Sequence, residues 1–448
     1  QFSNYNILTN DSYVINKNIF KNFSEATFTT KSEFTNDSKL FNYGIIKNTK
    51  TFNNRLNGLY RNYNLLNNDS VAIFNNSTNI INYESNTSDA TANNLFGVTG
   101  IIENRGTLNH TEDKITNKGI ITNYLPTSYI NLSADIDNNE VSSFTNNGIV
   151  KIFKGINMTN ISNSLLTNNK DMYNYGNIFS QRFNNTSNAN FYNYDSLLLS
   201  NAMTNSGIFT NKETNAGNPD SIDLTGITGR VVINYTSSSS GTINNNGIID
   251  VNQQLDLTGT TLNDEFGIIN NSSTINNSGS GSFTNKKYIL NNIGCAINNS
   301  NIFINSKVNS TVYGILDNYG SITNESSITN QGKINNKVDN TNLGLITNNK
   351  FITNDSLILN EGNMIISKTA KVTNNTRIDN RKNIYNYGIV DNLGNVVNTA
   401  NTIDNFNLIS NKASGTILNY STINNKGEGA SNIHSIDTDN IIGYIDNY

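Results

Sequence analysis

Asparagine recurs at every sixth position from 324 to 360, at residues 324, 330, 336, 342, 348, 354 and 360. Two residues before each stands a partner, Ile322, Ile328, Ile334, Ile346, Ile352 and Ile358, with Asn340 the single lapse. A period of six suits neither a helix at about 3.6 nor an uninterrupted strand at about 2. It suits a short strand followed by a corner. Residues i and i+2 of an extended segment share a face, so the aliphatic and the asparagine point the same way. The residue between them is often Thr, Val or Tyr, which fit a pleated surface. After the asparagine comes a polar residue or glycine, as in "NQG", "NEG" and "NYG". Asn and Gly tolerate the left-handed backbone that a sharp corner calls for.

The same frame reads along most of the chain. Leu8, Val14 and Phe20 precede Asn10, Asn16 and Asn22. Phe28, Phe34, Leu40, Ile46 and Phe52 follow after a two-residue slip, with Thr30 the only departure from asparagine in the paired column. Further on come Val372, Ile378, Ile384, Val390 and Val396, then Ile403, Ile409, Ile417 and Ile423, each with its asparagine two residues later. Three hexads make a coil of about 18 residues rising about 4.8 Å, so roughly 20 to 25 coils form a rod about 100 Å long. The expected fold is all-β: one continuous parallel β-helix over residues 1–448, triangular in section and wound right-handed. Irregular loops are expected near 131–143 and 234–242.

In such a solenoid the isoleucines stack into a dry interior. The asparagines Asn324, Asn330, Asn336, Asn348, Asn354 and Asn360 stack at the bends and pass amide hydrogen bonds from coil to coil. Composition agrees. Asparagine supplies about a fifth of the 448 residues, far above ordinary usage, with 2 prolines and no tryptophan. An asparagine-rich disordered chain would not keep aliphatics in phase, nor carry 20 phenylalanines and 21 tyrosines.

Sites of chemistry are scarce. The net charge of −4 points to neither nucleic acid nor an acidic membrane surface as partner. No apolar run reaches the roughly 18 residues of a membrane helix, so no membrane insertion is expected. The single cysteine, Cys295 in "NNIGCAINN", reads as a small buried hydrophobe. His110 falls in the asparagine column, because Leu108 takes the aliphatic slot, and reads as a corner variant. His434 lies near Asp437 and Asp439 without a second His or Cys. Asp135, Asp137 and Glu140 in "SADIDNNE" form a weak candidate calcium loop that lacks the glycine and remaining ligands. No phosphate-cradling loop or Gly-x-Ser-x-Gly elbow occurs, so no cofactor and no enzymatic activity are expected. A polysaccharide-active enzyme is a weaker reading. Its Gly-His-Gly and Arg-Ile-Lys signatures are missing, and "TRIDNRKN" around Arg377 and Arg381 fits the hexad frame. Asn-x-Ser/Thr sequons such as Asn36, Asn131 and Asn324 occur at about the rate composition alone gives. Outward threonines, hinted at in "FTTKSEFT", are not expected to stay in register elsewhere.

In units such as "SITNQG", "FITNDS" and "NIYNYG" the chain resembles the secreted β-solenoid surface proteins, the adhesin-like and filament-forming kinds built from short Ile/Asn/Gly repeats. The resemblance implies an extracellular structural role at the cell surface. It fits a subunit that assembles with itself end to end or laterally into a filament, appendage or sheath. The first residue is Gln1, as expected if a signal peptide has been removed, the favoured reading, or if the chain is a trimmed fragment. The alternative is a monomeric adhesin or glycan-binding rod facing a host or neighbouring cell, with "YNYG", "FYNYD" and "LDNYG" supplying candidate aromatics.

Overall fold

A computed structural model describes residues 1–447 except 56–58, 70–71, 77–79, 83–100, 112, 140–141, 200–202, 212–229, 234–236, 265–266, 280–281, 294, 308–312, 340–341, 412–415, 426–434 and 438–443. Every described element is a strand, most of them four residues long and closed by asparagine. The chain divides into two compact units, Gln1–Val231 and Val232–Tyr448. Each is a parallel β-solenoid with three strands per coil, one on each of three faces.

In the first unit the first face stacks Phe2 on Phe20, Phe20 on Leu40, Leu40 on Tyr60 and Tyr60 on Ile80. The second face stacks Leu8 on Phe28 and Phe28 on Ile46, and the third stacks Val14 on Phe34 and Phe34 on Phe52. In the second unit Leu316, Ile334, Ile358, Ile378 and Val396 form one such column. Within a strand the second and fourth residues are buried, and the first and third face outward. Burial of an aliphatic side chain is worth about 1.5–3 kcal/mol, and every strand repeats it. This replaces the single round core of a globule.

Among the described residues, coils depart from 18 residues by a few residues placed at corners. Asn4 and Asn22 are 18 apart, and Asn22 and Asn42 are 20 apart. The commonest device is a four-residue turn. At Phe23–Ala26 the Ala26 N–H donates to the Phe23 carbonyl at 2.9 Å, and Ala370 donates to Ser367 in the same way at 2.9 Å. Such turns close on a small buried residue, Ala26, Ala189 or Ala370, and Cys295 occupies the same place in its own turn.

The turn explains the corner glycines, and corrects the expectation of left-handed backbone there. Among the described residues, positive φ occurs at Gly155, Gly279, Asp113 and Asn401. Gly44, in "NYG", has no positive φ. A Cβ on it would lie 2.2 Å from both the Ala26 and Phe23 carbonyl oxygens of the preceding coil. Gly320 stands in the same relation to Cys295, at 2.2 Å. The residue is glycine because the neighbouring turn comes too close for a side chain.

Three further expectations change. Within 131–143 the described residues join the ladder, with strands Tyr129–Leu132, Asp135–Asn138 and Ser143–Asn146, while 140–141 lie outside them. Of 234–242, Ser237–Ser239 is a strand, while 234–236 lie outside the described residues. Asn342 does not join the asparagine column. Val338–Asp339 and Asn342–Leu343 pair antiparallel as a hairpin, so the frame passes from Asn336 to Asn348 through an excursion that happens to keep phase. The lapse at Asn340 marks it.

Candidate functional site

The dominant constellation is the set of buried asparagines at the corners. Asn324, Asn330, Asn336, Asn348, Asn354 and Asn360 have no exposed surface. Asn330 shows what each does. Its Nδ2 donates to Asn354 Oδ1 at 2.8 Å and to the Leu357 carbonyl at 2.9 Å, while its Oδ1 accepts from Asn305 Nδ2 at 2.8 Å. At Asn324, Oδ1 also accepts the Ser326 N–H of its own turn at 3.3 Å. One amide therefore joins three coils and closes the corner, which satisfies groups that burial would otherwise leave orphaned. The inward partners Ile322, Ile328, Ile334, Ile346, Ile352 and Ile358 are likewise buried.

The column accepts substitutes of matching chemistry. Thr30 Oγ1 donates to Asn48 Oδ1 at 2.5 Å. His110 stands fully buried in the third-face column, as its sequence frame implies. Asn54 Nδ2 donates to Asn76 Oδ1, which turns Asn76 Nδ2 toward His110 Nδ1 at 2.9 Å. Nδ1 must then accept, and Nε2–H donates to the Asp135 carbonyl at 3.2 Å. Burial lowers the His110 pKa from its usual value against the opposing pull of Asp135 and Asp113. Beyond it the column reads Leu132 and Ile152, and the amide ladder is interrupted.

Of the candidate calcium loop, the structure describes Asp135 and Asp137. Asp135 and Asp137 alternate outward on one strand, with Ile136 buried between them. Asp135 accepts the Asn157 backbone N–H at 2.8 Å, and Asp137 pairs with Lys114. Glu140, His434 and Asp439 lie outside the described residues, as does the side chain of Asp437. Among the described residues no group of three or more His, Cys, Asp or Glu gathers. No described helix is long and apolar enough to cross a membrane. Arg377 pairs with Asp379, and Arg381 with Glu361 at 2.9 Å, which makes them strand-surface residues. The sequon residues Asn36 and Asn324 are ladder members without exposed surface, while Asn131 faces outward and donates to Asn109 Oδ1 at 2.9 Å.

Two outward features escape simple reading of the sequence. Threonines do keep register, because insertions sit at corners: Thr122, Thr145 and Thr167 stack on one face, and Thr329, Thr353 and Thr373 on another. On the second unit, Asp317 accepts from Tyr288 Oη at 3.1 Å, Asn335 Nδ2 at 2.7 Å and Lys337 Nζ at 2.8 Å. Burial, then the Asp317 charge, pushes the Tyr288 hydroxyl up to about 12. The hydrogen bonds staple neighbouring coils beside the hairpin that follows Lys337. Outward tyrosines stack in pairs, as at Tyr173 and Tyr192 with ring centroids 4.9 Å apart. No protein family, curated protein or solved structure matches the chain.

Proposed function

We propose that this chain is an extracellular structural protein without enzymatic activity, a self-assembling subunit of a cell-surface filament, appendage or sheath. The observation that carries the reading is the repetition itself, in which parallel coils are joined by buried amide ladders and like side chains, such as Thr122, Thr145 and Thr167, stay in register on an outward face. A regular face of this kind meets a copy of itself with matching spacing. Negative-stain electron microscopy of purified protein tests the proposal. Filaments or sheets are expected, and dispersed single copies at high concentration would count against it.

The stacked outward pair Tyr173 and Tyr192 favours one second reading, a monomeric adhesin that binds glycans, since aromatic faces stack on sugar rings. A glycan array separates the two: specific binding that is lost in Tyr192→Ala, with no assembly, would select the adhesin.

A further inference from the structure

Among the described residues of the second unit, the large apolar side chains that stand exposed on coil strands are Ile302, Phe351 and Ile389, and all three lie on one face. The first outward column of that face reads Ser282, Ile302, Ser327 and Phe351, each registered on the next, with Ile302 46% and Phe351 55% exposed. The second outward column reads Asn244, Leu262, Thr284, Ile304, Thr329, Thr353 and Thr373. Those seven rungs carry no charge. Lys371, the rung after Phe351, pairs with Asp391.

The other two faces of this unit are built differently. One carries Asp250, Asp317, Lys333 and Arg377 at its outward positions. The other is a polar amide surface, where Asn298 donates to Asn276 at 2.8 Å and Asn276 to Asp256 at 2.7 Å, and where Leu345 is only part-exposed. In the first unit the third face repeats the apolar signature, with Ile73, Tyr129 and Ile208 exposed at the first position of their strands. An exposed apolar row marks a surface that something covers. A sheet face of uncharged, β-branched side chains at one spacing is the chemistry of paired sheets, which interdigitate about 10 Å apart.

We propose that this face of the second unit packs on the same face of a second copy, sheet against sheet about a two-fold axis. The inference rests on the self-assembly reading and assigns it a surface and a symmetry. Side chains repeat once per coil, about every 4.8 Å, so the ridges of one copy meet the grooves of the other along the whole run. In a two-fold contact the rungs near the axis meet their own kind, and like charges there would repel. The column from Asn244 to Thr373 meets that demand, and its middle rung is Ile304. With the axis at Ile304, Thr284 of one copy lies opposite Thr329 of the other. An acidic polymer or an anionic membrane would instead call for unpaired cations, and Lys371 is already held by Asp391. The contact is isologous and closes at two copies, so it makes the paired unit from which a larger assembly is built.

The test uses the full chain and places like charges across the axis with Thr284→Lys/Thr329→Lys. Thr323→Lys/Thr347→Lys, registered neighbours on the amide face, serves as comparison. Sedimentation over a concentration series reads pairing, electron microscopy reads larger assemblies, and circular dichroism checks the fold. Wild type and the comparison variant are expected to pair, and the axis variant to stay single. Mixed in equal amounts with Thr284→Glu/Thr329→Glu, the axis variant should pair again, and high salt should undo that pairing. If circular dichroism shows the axis variant unfolded, Phe351→Ser decides the matter. It trims an exposed ring to the residue that Ser282 and Ser327 already place in the column, and pairing should weaken. Unchanged pairing in the folded variants, a Lys and Glu mixture that stays single, or equal loss in the comparison variant would overturn the contact. Filaments formed by wild type would then leave self-assembly standing through another surface. Wild type that stays single at every concentration would overturn both. Wild-type pairs that never grow would keep this contact and remove the filament.

Discussion

The interior of residues 20–74 and that of residues 316–409 solve one packing problem with different side chains. In the first, Phe28, Phe34, Phe52 and Phe74 replace most of the aliphatics.

 Phe34 and Phe52 lie 5.0 Å apart between ring centroids, and Phe52 meets Phe74 at 5.0 Å edge to face. In the second, Ile322, Ile328, Ile334, Ile346, Ile352 and Ile358 stack like on like. The ladders differ too. In the second unit one column runs unbroken from Asn271 through Asn291, Asn318, Asn336, Asn360, Asn380 and Asn398 to Asn419. In the first unit the third-face column passes through His110 and then gives way to Leu132 and Ile152. The aromatic stretch relies on large interlocking rings, and the isoleucine stretch on repetition.

Where the ladder fails, the cost is visible. Leu257 stands below Asn277, and Asn277 Oδ1 is buried without a partner. Asn138 Nδ2 and Asn160 Oδ1 face the same lost rung, next to the register shift between Asn160 and Leu165. Ile366 above Asn348 leaves the Asn348 Nδ2 reaching the Lys350 and Lys371 carbonyls at 3.3 Å each, longer than the 2.9 Å that Asn330 keeps to its own carbonyl partner. The fold tolerates an aliphatic at a corner, at the expense of a slack or orphaned group.

Substitutions can break or sharpen this contrast. Phe52→Ala should cost the most, about 3–5 kcal/mol in chemical denaturation, because the cavity opens among rings that cannot close over it. Gly44→Ala should follow at about 3 kcal/mol, since its new methyl meets backbone carbonyls rather than a movable side chain. Asn330→Leu, in an unbroken column, should cost about 1–3 kcal/mol, because Asn354 Oδ1 and the Leu357 carbonyl lose the Asn330 amide and Asn305 Nδ2 keeps only the Lys333 carbonyl. An unchanged melting transition would remove the ladder's claim to stability. Ile352→Val should cost about 1 kcal/mol, the least of the four, because one methyl is lost from a uniform stack.

The pH prediction concerns the first unit, where His110 stands in the amide column. His110 has a lowered pKa in the fold, so the unfolded chain binds its proton more readily. The stability it contributes is complete above about pH 6.5, its unfolded value, and is lost as pH falls through the folded pKa. Protonation would also set an Nδ1–H against the Asn76 NH2. In His110→Asn an amide takes over the rung, and the loss of stability just below pH 6.5 should flatten. Equal slopes for the two proteins would show that His110 does not titrate on unfolding.

The hexad was legible because one physical demand, a buried aliphatic and a buried amide on each short strand, repeats at fixed spacing. Thr30 and His110 could be placed in the column from frame alone. The hairpin after Lys337 could not, because its length keeps the period and hides the excursion. The role of Gly44 was also hidden. It depends on Ala26, a residue one coil away, and only the stacked register brings the two together. The pairs Ala26 and Gly44, Ala189 and Gly207, and Ala370 and Gly388 each stand 18 apart, since 44 − 26, 207 − 189 and 388 − 370 all equal 18, and that spacing was the available signal. Asp135 and Asp137 looked like ligands because alternation along a strand mimics the spacing of a metal loop. Their partners, Asn157 and Lys114, come from adjacent coils.

Side-chain hydrogen exchange of selectively ¹⁵N-labelled asparagine, followed by NMR, addresses the buried ladder most directly. The Nδ2 protons of Asn324, Asn330 and Asn336 should exchange far more slowly than those of Asn349 and Asn375, which bond to Glu325 and Asp355 on the exposed surface. Exchange of all five at the rate of a free amide would mean that the corner carboxamides face water, and the coil-to-coil ladder would not exist.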